Sequence, residues 1–288
     1  MNTQATQVAE ALFRTEALKV APADRPFWYT SGTLGPYFIN THYLFGGEAP
    51  AKALLALIDS ALTGDHLALP AQIGQACLAH YREDPLYAAV MDYAVELASG
   101  LDFDAVSGGE RRDFFFSYVL AARCGRPHIT LFKDMSAVWT DADFSGARHL
   151  AGDDLAGLRV LHVADLVTEA SSYIRNWLPA LRGLGACVKD SLAVVDRSQG
   201  GKEVLAEAGV ALYSLIELDE AFFEAARAKG QINLAQEAGI LAFREAPRKF
   251  MADFFQAHPD FIKGELAAGG KAAERAQRAI ELGFATAE

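Results

Sequence analysis

Val160-Leu161-His162-Val163-Ala164-Asp165-Leu166-Val167-Thr168-Glu169-Ala170-Ser171-Ser172 is the stretch from which the fold of this chain is read. Val160, Leu161 and Val163 read as a buried strand, Asp165 as an acidic residue at its end, and the residues after it as a short turn. From Tyr173 to Leu184 the apolar residues Ile174, Trp177, Leu178 and Leu181 fall at helical spacing. Such a strand-turn-helix unit aims backbone N–H groups over the turn, and the helix dipole favours phosphate there. The same spacing serves an ordinary strand-to-helix connection, so the stretch alone leaves both readings open.

Working outward, strands near 103–107, 128–132, 159–163, 190–195 and 210–215 alternate with helical patterns. That alternation predicts an α/β fold: a parallel sheet of about five strands with helices on both faces. Helices are expected at 4–18, 48–63, 70–83, 85–99, 114–123, 202–208, 217–229, 232–243, 247–257 and 265–282. Phe27–Asn40 reads as a hairpin, with two aromatic-rich strands around Ser31-Gly32-Thr33-Leu34-Gly35-Pro36. Residues 135–157 read as a long loop in which Trp139 and Phe144 cover something apolar. Three segments follow: 1–47 as an N-terminal helix and hood, 48–225 as the α/β core, and 226–288 as a helical C-terminal extension.

Ligands of parallel sheets bind beyond the carboxyl ends of the strands. Ser107–Asp113, Lys133, Asp165–Ser172 and Asp196-Arg197 all fall there. Ser107-Gly108-Gly109 is expected to open a tight loop whose N–H groups form an anion nest. Arg111 and Arg112 are suited to gripping an anion with two hydrogen bonds each; alternatively they pair with Glu110 and Asp113 on a solvated rim.

The formal net charge of −11 over 288 residues argues against nucleic acid or an anionic membrane as partner. A small-molecule ligand is expected instead. Three widely spaced cysteines point to reduced thiols rather than a disulfide or zinc framework. The chain opens on no secretory pattern, and no apolar run approaches about 18 residues, so a cytoplasmic location is expected.

VLHVADLVTEASS resembles the phosphoribosyl-diphosphate (PRPP) motif of type I phosphoribosyltransferases: an apolar strand, two adjacent acids, then a Thr/Gly-rich turn. Phe27–Asn40 resembles the hood of the orotate phosphoribosyltransferase branch, with Ser31-Gly32, Pro36, Phe38 and Asn40 in register. Val194–Gly201 resembles that branch's D-R-x-x-G-G, and Lys133 matches the first lysine of its mobile loop. The resemblance spans about residues 8–225.

It implies a magnesium-dependent transfer of phosphoribosyl from PRPP to a ring nitrogen of a base such as orotate, in pyrimidine metabolism, by a homodimer. Asp165 and Lys133 would be the catalytic residues, with Asp165 also holding magnesium. Thr168, Ser171 and Ser172 would hold the 5′-phosphate. Ser107, Gly108, Gly109, Arg111 and Arg112 would face the pyrophosphate, and Arg197 and Phe38 the base. The chain departs from the family pattern at several points. Ala164 replaces the first acid, Glu169-Ala170 enters the turn, and Thr30 stands for the hood lysine. Phe132, Ser136 and Val138-Trp139 replace the arginine, second lysine and His-Gly of the mobile loop. These departures leave open a second reading, a protein of this fold that no longer catalyses and binds a nucleotide or other small anion in a regulatory role. A third, an enzyme for another base, uses the same loops.

Overall fold

Periodicity and capping explain most of the elements in the computed structural model, which describes residues 2–29 and 31–285. In chain order come α1 (Thr3–Arg14), β1 (Leu18–Val20), β2 (Phe27–Trp28), β3 (Leu34–Gly35), β4 (Tyr37–Ile39), α2 (Glu48–Ala61), α3 (Leu69–Glu83) and α4 (Pro85–Ser99). Then follow β5 (Ala105–Gly109), α5 (Phe114–Arg123), β6 (His128–Leu131), β7 (Ala137–Thr140), β8 (Arg148–His149) and β9 (Val160–Val167). A π-helical turn (Tyr173–Trp177) leads into α6 (Leu178–Gly183), β10 (Asp190–Asp196), α7 (Gly201–Glu207) and β11 (Ala211–Glu217). The chain continues through α8 (Glu220–Ala228), α9 (Leu234–Glu245), α10 (Pro247–Ala257), α11 (Phe261–Ala268) and α12 (Gly270–Glu281). The break between α3 and α4 shows the local logic. Pro85 takes the first helical position, where its missing N–H costs nothing, and the Asp84 side chain accepts the Tyr87 N–H at 2.7 Å.

The chain divides into two units, residues 1–17 with 40–219 and residues 18–39 with 220–288. The first holds a sheet ordered β11-β10-β9-β5-β6-β7-β8. Its five strands β5, β6, β9, β10 and β11 run parallel, as expected, with helices on both faces. Counted in chain order, those strands lie 2-1-3-4-5, so the winding reverses between β5 and β9. Right-handed crossovers then place α5 on one face and α6 and α7 on the other. On the second face Val160, Ala164, Trp177, Leu178, Leu181 and Leu205 share one apolar cluster.

Two expectations for this unit are corrected. Residues 135–157 are not a plain loop, because Ala137–Thr140 turns back antiparallel on β6 and Arg148–His149 adds to it. Trp139 packs on the sheet cluster while Val138 is fully buried, so both faces of that strand find cover. Strand β9 also runs on to Val167, paired with β10 as far as Val167↔Asp196. Asp165 therefore lies within the strand and not after it.

The second unit joins the hairpin region to the C-terminal helices, which is not the consecutive division 1–47, 48–225 and 226–288. A two-stranded hairpin is marginal in water and must bury its apolar face elsewhere. Trp28 and Leu34 do so among Met251, Phe254, Ile262, Ala276 and Ala279. The Trp28 indole N–H donates to Glu265 at 2.8 Å, and Arg275 donates to the Trp28 carbonyl at 3.2 Å. The strand pairing also differs from the expected hairpin. Phe27-Trp28 pairs with Leu34-Gly35, whereas Tyr37–Ile39 pairs with Leu18–Val20. The helix expected at 265–282 breaks at Gly269 and Gly270, both at positive φ (72° and 60°), where glycine avoids the Cβ clash. Thr30 lies outside the described residues.

Candidate functional site

In sheets of this winding, ligands bind where the strand order reverses. Here β5 and β9 are paired from Ala105↔Val160 to Gly108↔Val163 and then part. A cavity of about 380 Å³ opens above the gap. It is lined by Glu110–Asp113 after β5, Lys133 after β6, the end of β9, the turn through Ser172, and Tyr173 and Trp177.

The turn Thr168–Ala170 redirects the chain from strand to helix. Ala170 sits at φ 52°, a left-handed conformation that normally favours glycine, and is buried. Its carbonyl accepts the Ile174 N–H at 3.2 Å, which starts the helical run. Ser171 and Ser172 open that run, so their hydroxyls stand beside backbone donors of its first turn. The Leu178 N–H bonds back to Tyr173, five residues earlier, which makes this turn π-helical. Trp177 is thereby seated against Gly109. A Cβ on Gly109 would lie 2.4 Å from the indole.

Gly108 and Gly109 therefore serve close approach. They belong to β5 and are fully enclosed, neither has a positive φ, and a Cβ on Gly108 would meet Ser117 Oγ at 2.2 Å. The expected nest starting at Ser107 is corrected accordingly. Ser107 is completely buried, 2.9 Å from His162 Nδ1, and the Gly109 N–H donates to Asp113 Oδ2 at 3.0 Å. The loop proper is Glu110–Asp113.

Of the expected site residues, Asp165, Lys133, Thr168, Ser171, Ser172, Arg111 and Arg112 line this one cavity. Ser107, Gly108, Gly109, Arg197 and Phe38 do not. Arg197 follows β10, and its N–H donates to the Val167 carbonyl at 2.9 Å. Beside it Gly200 takes φ 90°, and a Cβ on Gly201 would lie 2.7 Å from the Thr168 carbonyl. The D-R-x-x-G-G turn thus packs directly on the strand exit. Phe38 belongs to the other unit, with its ring against Phe27 and Tyr29.

The cations over the cavity differ in their commitments. Arg111 pairs with Asp59. Lys133 is held by Glu110, which accepts its N–H at 3.1 Å and its ammonium at 3.2 Å. Arg112 is exposed and makes no ion pair within 4 Å with the described residues. Its charge counteracts the burial that raises the Asp165 pKa. Burial raises the Asp113 pKa further, and the neighbouring Asp165 charge adds to it. Asp165 Oδ2 is buried without a hydrogen-bond partner among the described residues. Such an orphaned carboxylate oxygen beside a phosphate-sized space fits magnesium, which takes one or two carboxylates and completes its shell with substrate phosphates and water. No group of three or more metal-binding side chains occurs among the described residues.

Asp113 and Trp177 are the residues that sequence reading did not single out. Asp113 passed as one of four loop charges, although an acid directly before a helix that follows a strand end was a usable signal.

Histidines under the cavity set an acid limit on stability. His128, bonded to Ser117 Oγ at 2.9 Å, is held neutral by burial with its pKa lowered to about 3. Folded His128 binds fewer protons than unfolded His128 below about 6.5, so its contribution is lost as pH falls from there towards 3. Between pH 7 and pH 5, wild type is expected to lose about 2 kcal/mol more stability than His128→Gln in urea titrations. Equal losses in the two proteins would refute this.

No protein-family model matches the chain. Among curated proteins, orotate phosphoribosyltransferase of Methanoculleus marisnigri is 32% identical over 133 residues, covering 46% of this chain and 74% of that protein. The enzyme of the same name from Pyrococcus furiosus is 33% identical over 127 residues, 44% of this chain and 65% of its own. Among solved structures, Leishmania donovani UMP synthase aligns with a TM-score of 0.55 at 18% identity, over 85% of this chain and 42% of that one. Orotate phosphoribosyltransferase of Francisella tularensis aligns at 0.51 and 13% identity, over 82% and 96%. At these identities the two structures establish a shared fold.

Proposed function

We propose that this chain, which belongs to the type I phosphoribosyltransferase family on its orotate phosphoribosyltransferase branch, transfers phosphoribosyl from PRPP to a ring nitrogen of an orotate-like base and releases pyrophosphate. The observation that carries the reading is the convergence of Asp165, Thr168, Ser171, Ser172, Arg111, Arg112 and Lys133 on one cavity at the point where the sheet winding reverses. The non-catalytic reading is not favoured, since the matched relatives carry the transferase name.

In this reading the Thr168, Ser171 and Ser172 hydroxyls and the N–H groups of the first helical turn take the 5′-phosphate. Asp165 accepts from the ribose hydroxyls. Arg112 meets the pyrophosphate directly, and Lys133 joins it on exchanging Glu110 for a phosphate oxygen. The bond from C1 of the ribose to the pyrophosphate oxygen breaks, one to the base nitrogen forms, and the proton of that nitrogen passes to the pyrophosphate or to solvent. The chain's part is to place the two ends and to stabilise the charge that separates between them. Bound magnesium, held by Asp165, would offset charge on the leaving pyrophosphate. Arg197, at the carboxyl end of β10, is the proposed contact for the base carboxylate, for which its planar fork is suited. Phe38 is kept as a base contact on the family resemblance alone. The same resemblance supports a homodimer acting in cytoplasmic pyrimidine metabolism. No helix among the described residues is long and apolar enough to cross a membrane.

Calorimetric titration with PRPP, with and without magnesium, tests this reading, followed by pyrophosphate release with orotate and a panel of other bases. Magnesium-dependent binding and release with orotate are expected. An absence of PRPP binding would overturn the assignment, and release with a different base would change the acceptor.

A further inference from the structure

The strand that carries Asp165 offers no second acid. Ala164 lines the cavity beside Asp165 but carries no acid; it is 3% exposed and belongs also to the apolar cluster of Val160, Trp177, Leu178 and Leu181. A carboxylate at that position would stand at the cavity wall with hydrocarbon and aromatic groups behind it, which disfavour its charged form. Yet a second carboxyl group does reach the cavity, from the other side of the gap. Asp113 stands directly before α5 and is 7% exposed. Its Oδ1 accepts the N–H of Asp165 itself at 2.9 Å, and its Oδ2 accepts the Gly109 N–H at 3.0 Å. It thus ties together the parting ends of β5 and β9. Each oxygen keeps further acceptor capacity, since a carboxylate offers about four lone-pair sites for the two bonds made here.

We propose that Asp113 is the second acidic group of the cation site, supplied across the gap between β5 and β9 instead of from position 164. Two buried carboxyl groups side by side are costly unless something positive or hydrogen-donating lies between them. Asp165 is 9% exposed and lines the cavity, and its Oδ2 is buried without a hydrogen-bond partner among the described residues. Arg112 is the nearby cation on the cavity side. His162, whose Nε2 is 3.9 Å from Asp113 Oδ2, is kept neutral by burial and supplies no charge. The two carboxyl groups hydrogen-bond each other, and a divalent cation between them would take the place of that shared proton. The departure at Ala164 then marks a relocation of the acid to a different segment and not its loss.

The inference rests on PRPP being the ligand, and its test separates the two claims. PRPP affinity is measured by calorimetry with magnesium and with EDTA, in wild type and Asp113→Asn. A purely structural role for Asp113 would weaken both affinities together. The proposal expects the gain on adding magnesium to fall by about tenfold or more in Asp113→Asn, with affinity in EDTA little changed. Failure of the wild type to bind PRPP at all would sink the function reading itself. A folded Asp113→Asn that keeps the full magnesium gain would overturn this inference alone. If the variant does not fold, crystals of the wild type with PRPP and manganese decide by the anomalous signal of the ion. Contact of the ion with both carboxyl groups supports the proposal, and contact with Asp165 alone overturns it.

Discussion

Asp165→Asn is expected to lower kcat/KM by about 100-fold or more, equivalent to about 2.7 kcal/mol of transition-state binding. Asparagine keeps the size and one acceptor but removes the charge that would hold the ribose and the cation, and each charge-assisted contact is worth about 1.5–3 kcal/mol. The main-chain bond from Asp165 to Asp113 does not involve the side chain, so it survives the change. Stability should move in the opposite direction to activity. Removing one of two adjacent buried carboxyl groups relieves their repulsion, so the urea midpoint should stay level or rise. Steady-state kinetics beside urea titrations check both halves. An unchanged kcat/KM would remove Asp165 from the mechanism, and a large drop in midpoint would show that its role is structural.

Trp177→Ala is expected to cost about 3–5 kcal/mol of folding stability, the range for emptying a buried large aromatic site. Trp177 is 5% exposed and is at once a wall of the cavity and part of the apolar cluster under it. Its indole fills the space that Gly109 leaves, and its ring lies 6.3 Å from that of His162. Alanine would open a void under the end of β5, from which Asp113 takes the Gly109 N–H. Weaker PRPP binding should therefore accompany the loss. Urea denaturation measures the first effect and calorimetry the second. A cost below about 1 kcal/mol would mean that the indole is not packed as described.

The alternation of strand and helix was legible because the central strands β9 and β10 carry near-continuous apolar runs, the mark of burial on both faces. The hairpin pairing was not. Leu18–Val20 is a strand of three residues, too short for periodicity to register, and its partner Tyr37–Ile39 is anchored through the Tyr37 ring on Phe223 and Phe243, far along the chain. Ala137–Thr140 escaped notice for a related reason. Small and apolar residues stand side by side there, and only the edge of β6 makes them a strand.

The candidate site divides along the same line. Residue order alone placed Asp165, Lys133, Thr168, Ser171, Ser172, Arg111 and Arg112 at strand ends, and in a parallel sheet those ends lie along one edge. Local chemistry sufficed because each residue lies in, or within a few residues of, the end of its own strand. Whether neighbouring groups face a ligand, each other or the core depends on contacts between segments far apart in the chain. That is why Ser107, Gly108 and Gly109 turned out to be packing positions, and why Asp113 meets Asp165 across 52 residues. A backbone N–H that loses its partner where two strands separate must find another acceptor, and the fold brings Asp113 to that place.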